Sequence, residues 1–199
     1  KGAIGFMEKT NQWHEKSESF NIHDETKGAK VVLEWSFKHF HEEKIIYASS
    51  FGAEAIVLID LISQVKPDAS IVFLDTGLHF PETYEVIDRI EARYKDLKIE
   101  RKLPDLTLDE QREQYGSALW KRDPNKCCEI RKVIPLREAL TPMDAWISGL
   151  RRDQSLSRAN TDFFNEDRKL NNIKICPLIR WTGDEVWNYI HERDLPYNS

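Results

Sequence analysis

Ile45-Ile46-Tyr47-Ala48-Ser49-Ser50-Phe51-Gly52-Ala53-Glu54 is the stretch whose reading decides the fold. Its first four residues form a short apolar run, the mark of a buried strand. Ser49-Ser50-Phe51-Gly52 breaks the run. From Ala53 to Gln64, Ile56, Ile59, Leu61 and Ile62 recur at helical spacing. Pro67-Asp68 punctuates the chain. A second buried strand follows at Ile71-Val72-Phe73-Leu74 and ends in Asp75-Thr76-Gly77. Pro81 opens a helix at a position where its missing N–H does no harm. Val86, Ile87, Ile90 and Tyr94 mark that helix's inner face. Lys98 to Leu103 reads as a third strand, and Asp109 to Tyr115 as an exposed helix stopped by Gly116. Asp123 caps a helix that Pro124 starts and that runs to about Leu140. Ala145-Trp146-Ile147-Ser148 is a strand, followed by a polar loop from Gly149 to Asn160. A short apolar segment, Ile173 to Ile179, is broken by Pro177. Thr182-Gly183-Asp184-Glu185 forms a capping box before a helix from Val186 to Glu192.

Strands alternate with helices and hairpin signals are absent. The pattern predicts an α/β domain with a mostly parallel sheet and helices on both faces. Residues 1–40 carry Trp13, Phe20, Trp35 and Phe40 and read as helices packed on that domain. One domain over residues 1–199 is expected, with no internal repeat.

Composition bounds the function. With 40% hydrophobic and 11% aromatic residues, disorder is excluded as the main state. A net charge of −5 excludes a generally basic coat for nucleic acid. No apolar run approaches the roughly 20 residues that span a bilayer. Lys1-Gly2-Ala3 carries no secretory-leader pattern, so a cytoplasmic protein is expected. Three cysteines, two of them adjacent, argue against a disulfide scaffold.

In a doubly wound sheet, ligands bind at the carboxyl ends of the strands. Three loops occupy that edge. In Ser49-Ser50-Phe51-Gly52, a glycine at a helix start lets backbone N–H groups face an anion, and two hydroxyls add donors. The loop is neither a Walker A nor a dinucleotide fingerprint. Leu74-Asp75-Thr76-Gly77 can hydrogen-bond a base or ribose, or be a capped turn. In the third loop, from Gly149 to Arg158, Arg151, Arg152 and Arg158 suit bidentate recognition of phosphate or sulfate oxygens. Residues 121–158 hold nine Lys/Arg against five Asp/Glu, a local +4 in a chain of −5. A basic island on an acidic body fits a small anionic ligand.

Cys127-Cys128 is the sharpest feature. With Asp123 as cap, both thiols lie in early helical turns, where the dipole and nearby cations favour thiolate. Arg131 and Lys132 each follow a cysteine by four residues and share its face. Two adjacent thiolates suit a soft metal site, an iron–sulfur cluster or zinc. Cys176, between Ile175 and Pro177, reads as a packed core cysteine.

Taken together, Ser49-Ser50-Phe51-Gly52-Ala53-Glu54, Leu74-Asp75-Thr76-Gly77, Lys121-Arg122-Asp123-Pro124, Cys127-Cys128 with Arg131-Lys132-Val133, Trp146 through Ser155, and Pro177-Leu178 resemble the sulfonucleotide reductases over about residues 30–199. The resemblance implies an adenine nucleotide α-hydrolase-like fold of PP-loop type. It implies reduction of adenylyl sulfate to sulfite and AMP in assimilatory sulfate reduction. An enzyme S-sulfocysteine would form first, and thioredoxin or a glutaredoxin-like reductant would release sulfite. Substrate binding falls on Ser49, Ser50, Phe51, Gly52, Leu74, Asp75, Thr76, Gly77, Gly149, Arg151, Arg152 and Arg158. The cysteine pair marks the branch with a [4Fe-4S] cluster, held in part by Cys127 and Cys128, with Lys132 between cluster and substrate.

The family's nucleophilic cysteine and second ligand pair are expected beyond Ser199, so the catalytic cysteine is expected outside this sequence. A homo-oligomer is expected, with no nucleic-acid or membrane partner. The alternatives are a phosphoadenylyl-sulfate reductase, a non-catalytic nucleotide-binding fragment, a zinc protein, or an ATP-splitting relative. The last carries a Ser-Gly-Gly-x-Asp-Ser loop, from which Phe51 and Glu54-Ala55 depart.

Overall fold

A computed structural model describes residues 12–197. The part of the N-terminal expectation that falls on residues 1–11 lies outside them. Residues 12–18 are helical (α1), and α2 spans Ala29–His39. Then come β1 (Ile45–Ser49), α3 (Ala53–Val65), β2 (Ser70–Leu74), α4 (Pro81–Arg93) and β3 (Lys98–Lys102). The helices α5 (Leu108–Tyr115), α6 (Leu119–Arg122) and α7 (Pro124–Cys128) follow, then a π-helical turn at Glu129–Val133 and α8 (Ile134–Leu140). The remaining described elements are β4 (Ala145–Ile147), β5 (Phe164–Asp167), β6 (Asn172–Ile175) and α9 (Gly183–Glu192).

The six strands form one sheet in the order β3-β2-β1-β4-β6-β5. All neighbours are parallel except β5 and β6. Side chains alternate between the faces. Ile45, Tyr47, Ile71, Phe73 and Ile147 enter the large core with α2, α3, α4 and α9. Ile46, Val72 and Trp146 point the other way, onto Leu136 and Leu140 of α8. Both faces are therefore covered, which is why these strands read as unbroken apolar runs.

Two expectations are corrected. A hairpin is present: β5 pairs antiparallel with β6, from Phe164 opposite Ile175 to Asp167 opposite Asn172. Its turn uses Asn171 at φ 54°, a left-handed position that asparagine tolerates. The helix from Asp123 to Leu140 is not uniform. Pro135 has no N–H and would clash with the carbonyl four residues back, at Arg131. The chain widens just before it, and the Ile134 N–H bonds back to Glu129 O, a five-residue step.

The edges are polar. On β3, Lys98, Glu100 and Arg101 are exposed, and β5 buries only Phe164. Among the described residues, no helix is long and apolar enough to cross a membrane.

Candidate active site

Strand β1 lies between β2 and β4, so the chain leaves it in opposite directions on its two sides. The loops after these three strands share one edge, and a crevice opens there. It is a cavity of about 440 Å³, a volume typical of small-ligand sites. Ser49 and Ser50, Leu74 and Thr76, and Gly149 and Arg158 line it, one pair from each loop. Lys132 reaches it from the π turn.

The first loop is built by its serines. Ser49 Oγ accepts the Phe51 N–H at 3.2 Å, and Ser50 Oγ accepts the Gly52 N–H at 3.5 Å. A hydroxyl that accepts in this way still has its own proton to give a ligand. Phe51, not Gly52, takes the left-handed backbone, at φ 55°. Burial of its ring against Phe73, at 5.2 Å and 89°, holds it there. Gly52 is extended, and a Cβ on it would meet only Ser50 Oγ at 3.6 Å. The N-terminus of α3 follows with no side-chain cap, its first N–H groups free for an anion. Phe51 and Gly52 shape this loop without lining the cavity.

The second loop is organised by Asp75. Its Oδ1 accepts the Gly77 N–H at 3.0 Å and the Tyr84 hydroxyl at 2.6 Å. Gly77 sits at φ +71°, which favours glycine. Asp75 and Gly77 form the turn, while Leu74 and Thr76 face the cavity.

The third loop divides its arginines. Arg151 Nε donates to Glu54 at 3.0 Å, and its Nη1 donates to Asp153 at 2.5 Å. Arg152 Nε donates to Thr161 O at 2.8 Å, and its Nη2 to Asp162 at 3.3 Å. Both are committed to protein acceptors and stand outside the cavity wall. Arg158 lines the cavity, bonded to Gln154. Gly149 leaves a close fit, since a Cβ there would meet Glu54 Cβ at 3.2 Å.

Several lining residues escaped the sequence reading as site residues, among them Tyr47, Phe73, His79, Leu136 and Trp146. Tyr47 and Trp146 look like ordinary core residues in sequence. Only the strand register brings them to the cavity wall. His79 Nε2 lies 3.0 Å from Leu74 O.

The cysteine pair precedes Lys132, the cavity residue of the π turn, by a few residues. Asp123 caps α7, accepting the Lys126 N–H at 3.0 Å. Cys127 and Arg131 turn inward, at 5% and 4% exposure, while Cys128 and Lys132 are exposed. Cys127 packs with Leu119 and Ile130. Arg131 Nε donates to Thr76 O at 2.5 Å, tying the cysteine helix to the second loop. Burial pushes the Arg131 guanidinium below its ordinary range, opposed by Cys127 and Asp75. Two adjacent soft donors fit part of a thiolate-held metal group. Among the described residues, no three His, Cys, Asp or Glu side chains form a metal-holding group. Cys176 is fully buried between β6 and Phe163, and burial pushes its thiol up to about 12.

Residues 44–199 match the family model described as the phosphoadenosine phosphosulfate reductase domain. The chain is 61% identical over 190 residues to the adenosine 5'-phosphosulfate reductase of Geobacillus kaustophilus (strain HTA426), covering 94% of this chain and 80% of the relative. Among solved structures, the phosphoadenylyl-sulfate reductase of Candida auris superposes with a TM-score of 0.73 at 28% identity, over 85% of this chain and 81% of that one. The NH3-dependent NAD synthetase of Campylobacter jejuni shares the fold alone, with a TM-score of 0.57 at 13% identity, over 85% and 72% of the two chains.

Proposed function

The chain belongs to the sulfonucleotide reductase family, as an enzyme of the adenosine 5'-phosphosulfate reductase type, and from that premise we propose that it reduces adenylyl sulfate to sulfite and AMP with thioredoxin or a glutaredoxin-like donor. The observation that carries this reading is one crevice in which uncapped helix N–H groups, two serine hydroxyls, Lys132 and Arg158 converge. Such a set suits a phosphosulfate, whose two anionic groups need donors more than they need a pocket of one sign.

The residues divide the work. The Ser49–Gly52 loop and the α3 N-terminus hold the phosphate. Arg158 and Lys132 offset charge on the sulfonyl oxygens and on the phosphate as it leaves. Leu74, Leu136 and Trp146 offer the apolar wall that a nucleoside needs. A cysteine thiolate attacks the sulfate sulfur, the S–O bond to the phosphate breaks, and AMP departs with that oxygen's electron pair. The enzyme then carries an S-sulfocysteine. A thiolate of the reductant attacks the cysteine sulfur, and sulfite leaves with the S–S electron pair. The described cysteines offer no clear nucleophile for this step, since Cys176 is buried in the core and the other two form the pair.

We assign Cys127 and Cys128 as two ligands of a [4Fe-4S] cluster, the other two lying outside the described residues. When bound, the cluster would supply a compact anionic centre held by Cys127 and Cys128. Lys132 lines the cavity and follows Cys128 by four residues, so that it could answer both.

The test is turnover of adenylyl sulfate against its 3'-phosphorylated form, with thioredoxin, on the full-length protein, alongside iron and labile sulfide analysis. A preference for adenylyl sulfate with iron present is expected. A preference for the 3'-phosphorylated form, or zinc in place of iron, would overturn the corresponding half of the reading.

A further inference from the structure

The site above leaves Gln111 unexplained. It lies on α5, where its neighbours Asp109, Glu110, Arg112 and Glu113 face solvent, yet it is 2% exposed. A buried amide is tolerated when both its ends are partnered. Gln111 Oε1 accepts from Arg131 Nη1 at 3.0 Å, and Gln111 Nε2 donates to Cys127 Sγ at 3.9 Å. Arg131 continues the path. Its Nη1 also donates to Leu106 O at 3.1 Å, and its Nε donates to Thr76 O. Its Nη2 lies 3.6 Å from where a Cβ on Gly77 would stand. None of these hydrogen-bond acceptors is a carboxylate.

A continuous path therefore runs from the Cys127 sulfur through one amide and one guanidinium to the backbone of the second loop. Its two limbs differ. The Arg131 limb is short and charge-assisted. The sulfur limb, at 3.9 Å, is the longer and weaker one. The start of α5, from which Gln111 projects, is fixed by the capping box of Thr107 and Glu110.

We propose that Gln111 is a positioning residue that couples the Cys127 sulfur to the Asp75–Gly77 loop through Arg131, so that what the sulfur binds changes nucleotide affinity. The inference rests on the adenylyl-sulfate reading and adds a residue outside the cavity to it. Coupling of this kind is reciprocal, so nucleotide binding also stabilises what Cys127 holds.

The test uses the full-length protein as purified, with AMP and adenylyl sulfate affinities by calorimetry, iron per chain, and KM and kcat. Gln111→Met removes both limbs. Its AMP affinity is expected to fall about tenfold, the effect of losing one charge-assisted hydrogen bond, and its iron content to fall as well. Gln111→Glu keeps an acceptor for Arg131 but offers no N–H to the sulfur. It is expected to lose iron and, with the sulfur limb cut, to hold AMP affinity within about twofold of wild type, whereas chelating iron from wild-type protein lowers that affinity several-fold; wild-type affinity unmoved by iron removal overturns the coupling. A purely structural role would lower both properties together in both variants. Unchanged AMP affinity in Gln111→Met, or full iron in Gln111→Glu, would overturn the coupling. So would equal loss of AMP affinity in the two variants. Wild-type protein that binds AMP but not adenylyl sulfate would overturn the substrate reading instead, and the AMP affinities would still decide the role of Gln111.

Discussion

Arg158 and Arg152 stand six residues apart in one loop and do different work. Charge counting found the loop but could not say which guanidinium faces the ligand, because all three arginines carry the same signal. Arg151 and Arg152 are spent on Glu54, Asp153, Thr161 O and Asp162, and Arg158 stands at the cavity. Arg158→Ala should weaken adenylyl sulfate binding by about 1.5–3 kcal/mol, the worth of a hydrogen bond to a charged group, with little change in unfolding midpoint. Arg151→Ala should instead lower the midpoint, since it leaves a half-buried Glu54 without its main partner. Calorimetry and urea titration on both variants check the split, and equal losses of affinity would refute it. The cysteines separate in the same way. Cys128 should react first with a thiol reagent in metal-free protein, and Cys176 only on unfolding. The folded Cys176 keeps its proton to about 12, whereas an unfolded thiol loses it near 8.5. Its contribution is therefore complete below about pH 8.5 and drains away as pH rises toward 12. Cys176→Ala should flatten the alkaline fall in stability, measured by urea unfolding from pH 8 to 10.

The strands β1, β2 and β4 were legible because each is buried on both faces and reads as an apolar run. The hairpin partner β5 was not. Phe-Asn-Glu-Asp buries one residue, and the turn lacks the Asn-Gly or Asp-Gly pair that announces a hairpin. The site's loops were legible as loops, but their lining residues depended on register. The π turn was also hidden, although Pro135 was in plain view. A proline inside a helical pattern reads as a kink or an end, not as a widened turn that continues. The turn matters because it sets Arg131 inward and Lys132 at the cavity within one step of chain. Pro135→Ala restores an N–H that can bond Arg131 O. The turn should then tighten toward α geometry and carry Lys132 away from the cavity. Adenylyl sulfate affinity should fall several-fold while the unfolding midpoint holds or rises. A variant with unchanged affinity would show that the proline does not set the turn.

Across the whole molecule, the sheet's edge carries the crevice while a polar clamp well along α3 holds the last helix. Asp60 is buried in α3 and accepts the hydroxyls of Tyr94 and Tyr189, each at 2.6 Å, and the Gln64 amide at 3.0 Å. It joins α3, the end of α4 and α9 in one network. Burial and Asp60 together push both tyrosines well above their ordinary range. Asp60→Ala strands two tyrosine hydroxyls and should cost about 2–4 kcal/mol in urea unfolding, the sum of two lost partners. Its AMP affinity should stay near wild type, because Asp60 lies outside the cavity; a large loss would show that the clamp and crevice are coupled. The polar edges have a consequence of their own. A sheet with Lys98, Glu100 and Arg101 along one margin and a short, reversed strand along the other is a poor template for a strand from a neighbouring molecule. Crowded copies of this chain are thereby steered away from the endless ribbon that an open parallel sheet invites, and contact between them is left to helices and loops, where it can be finite and reversible.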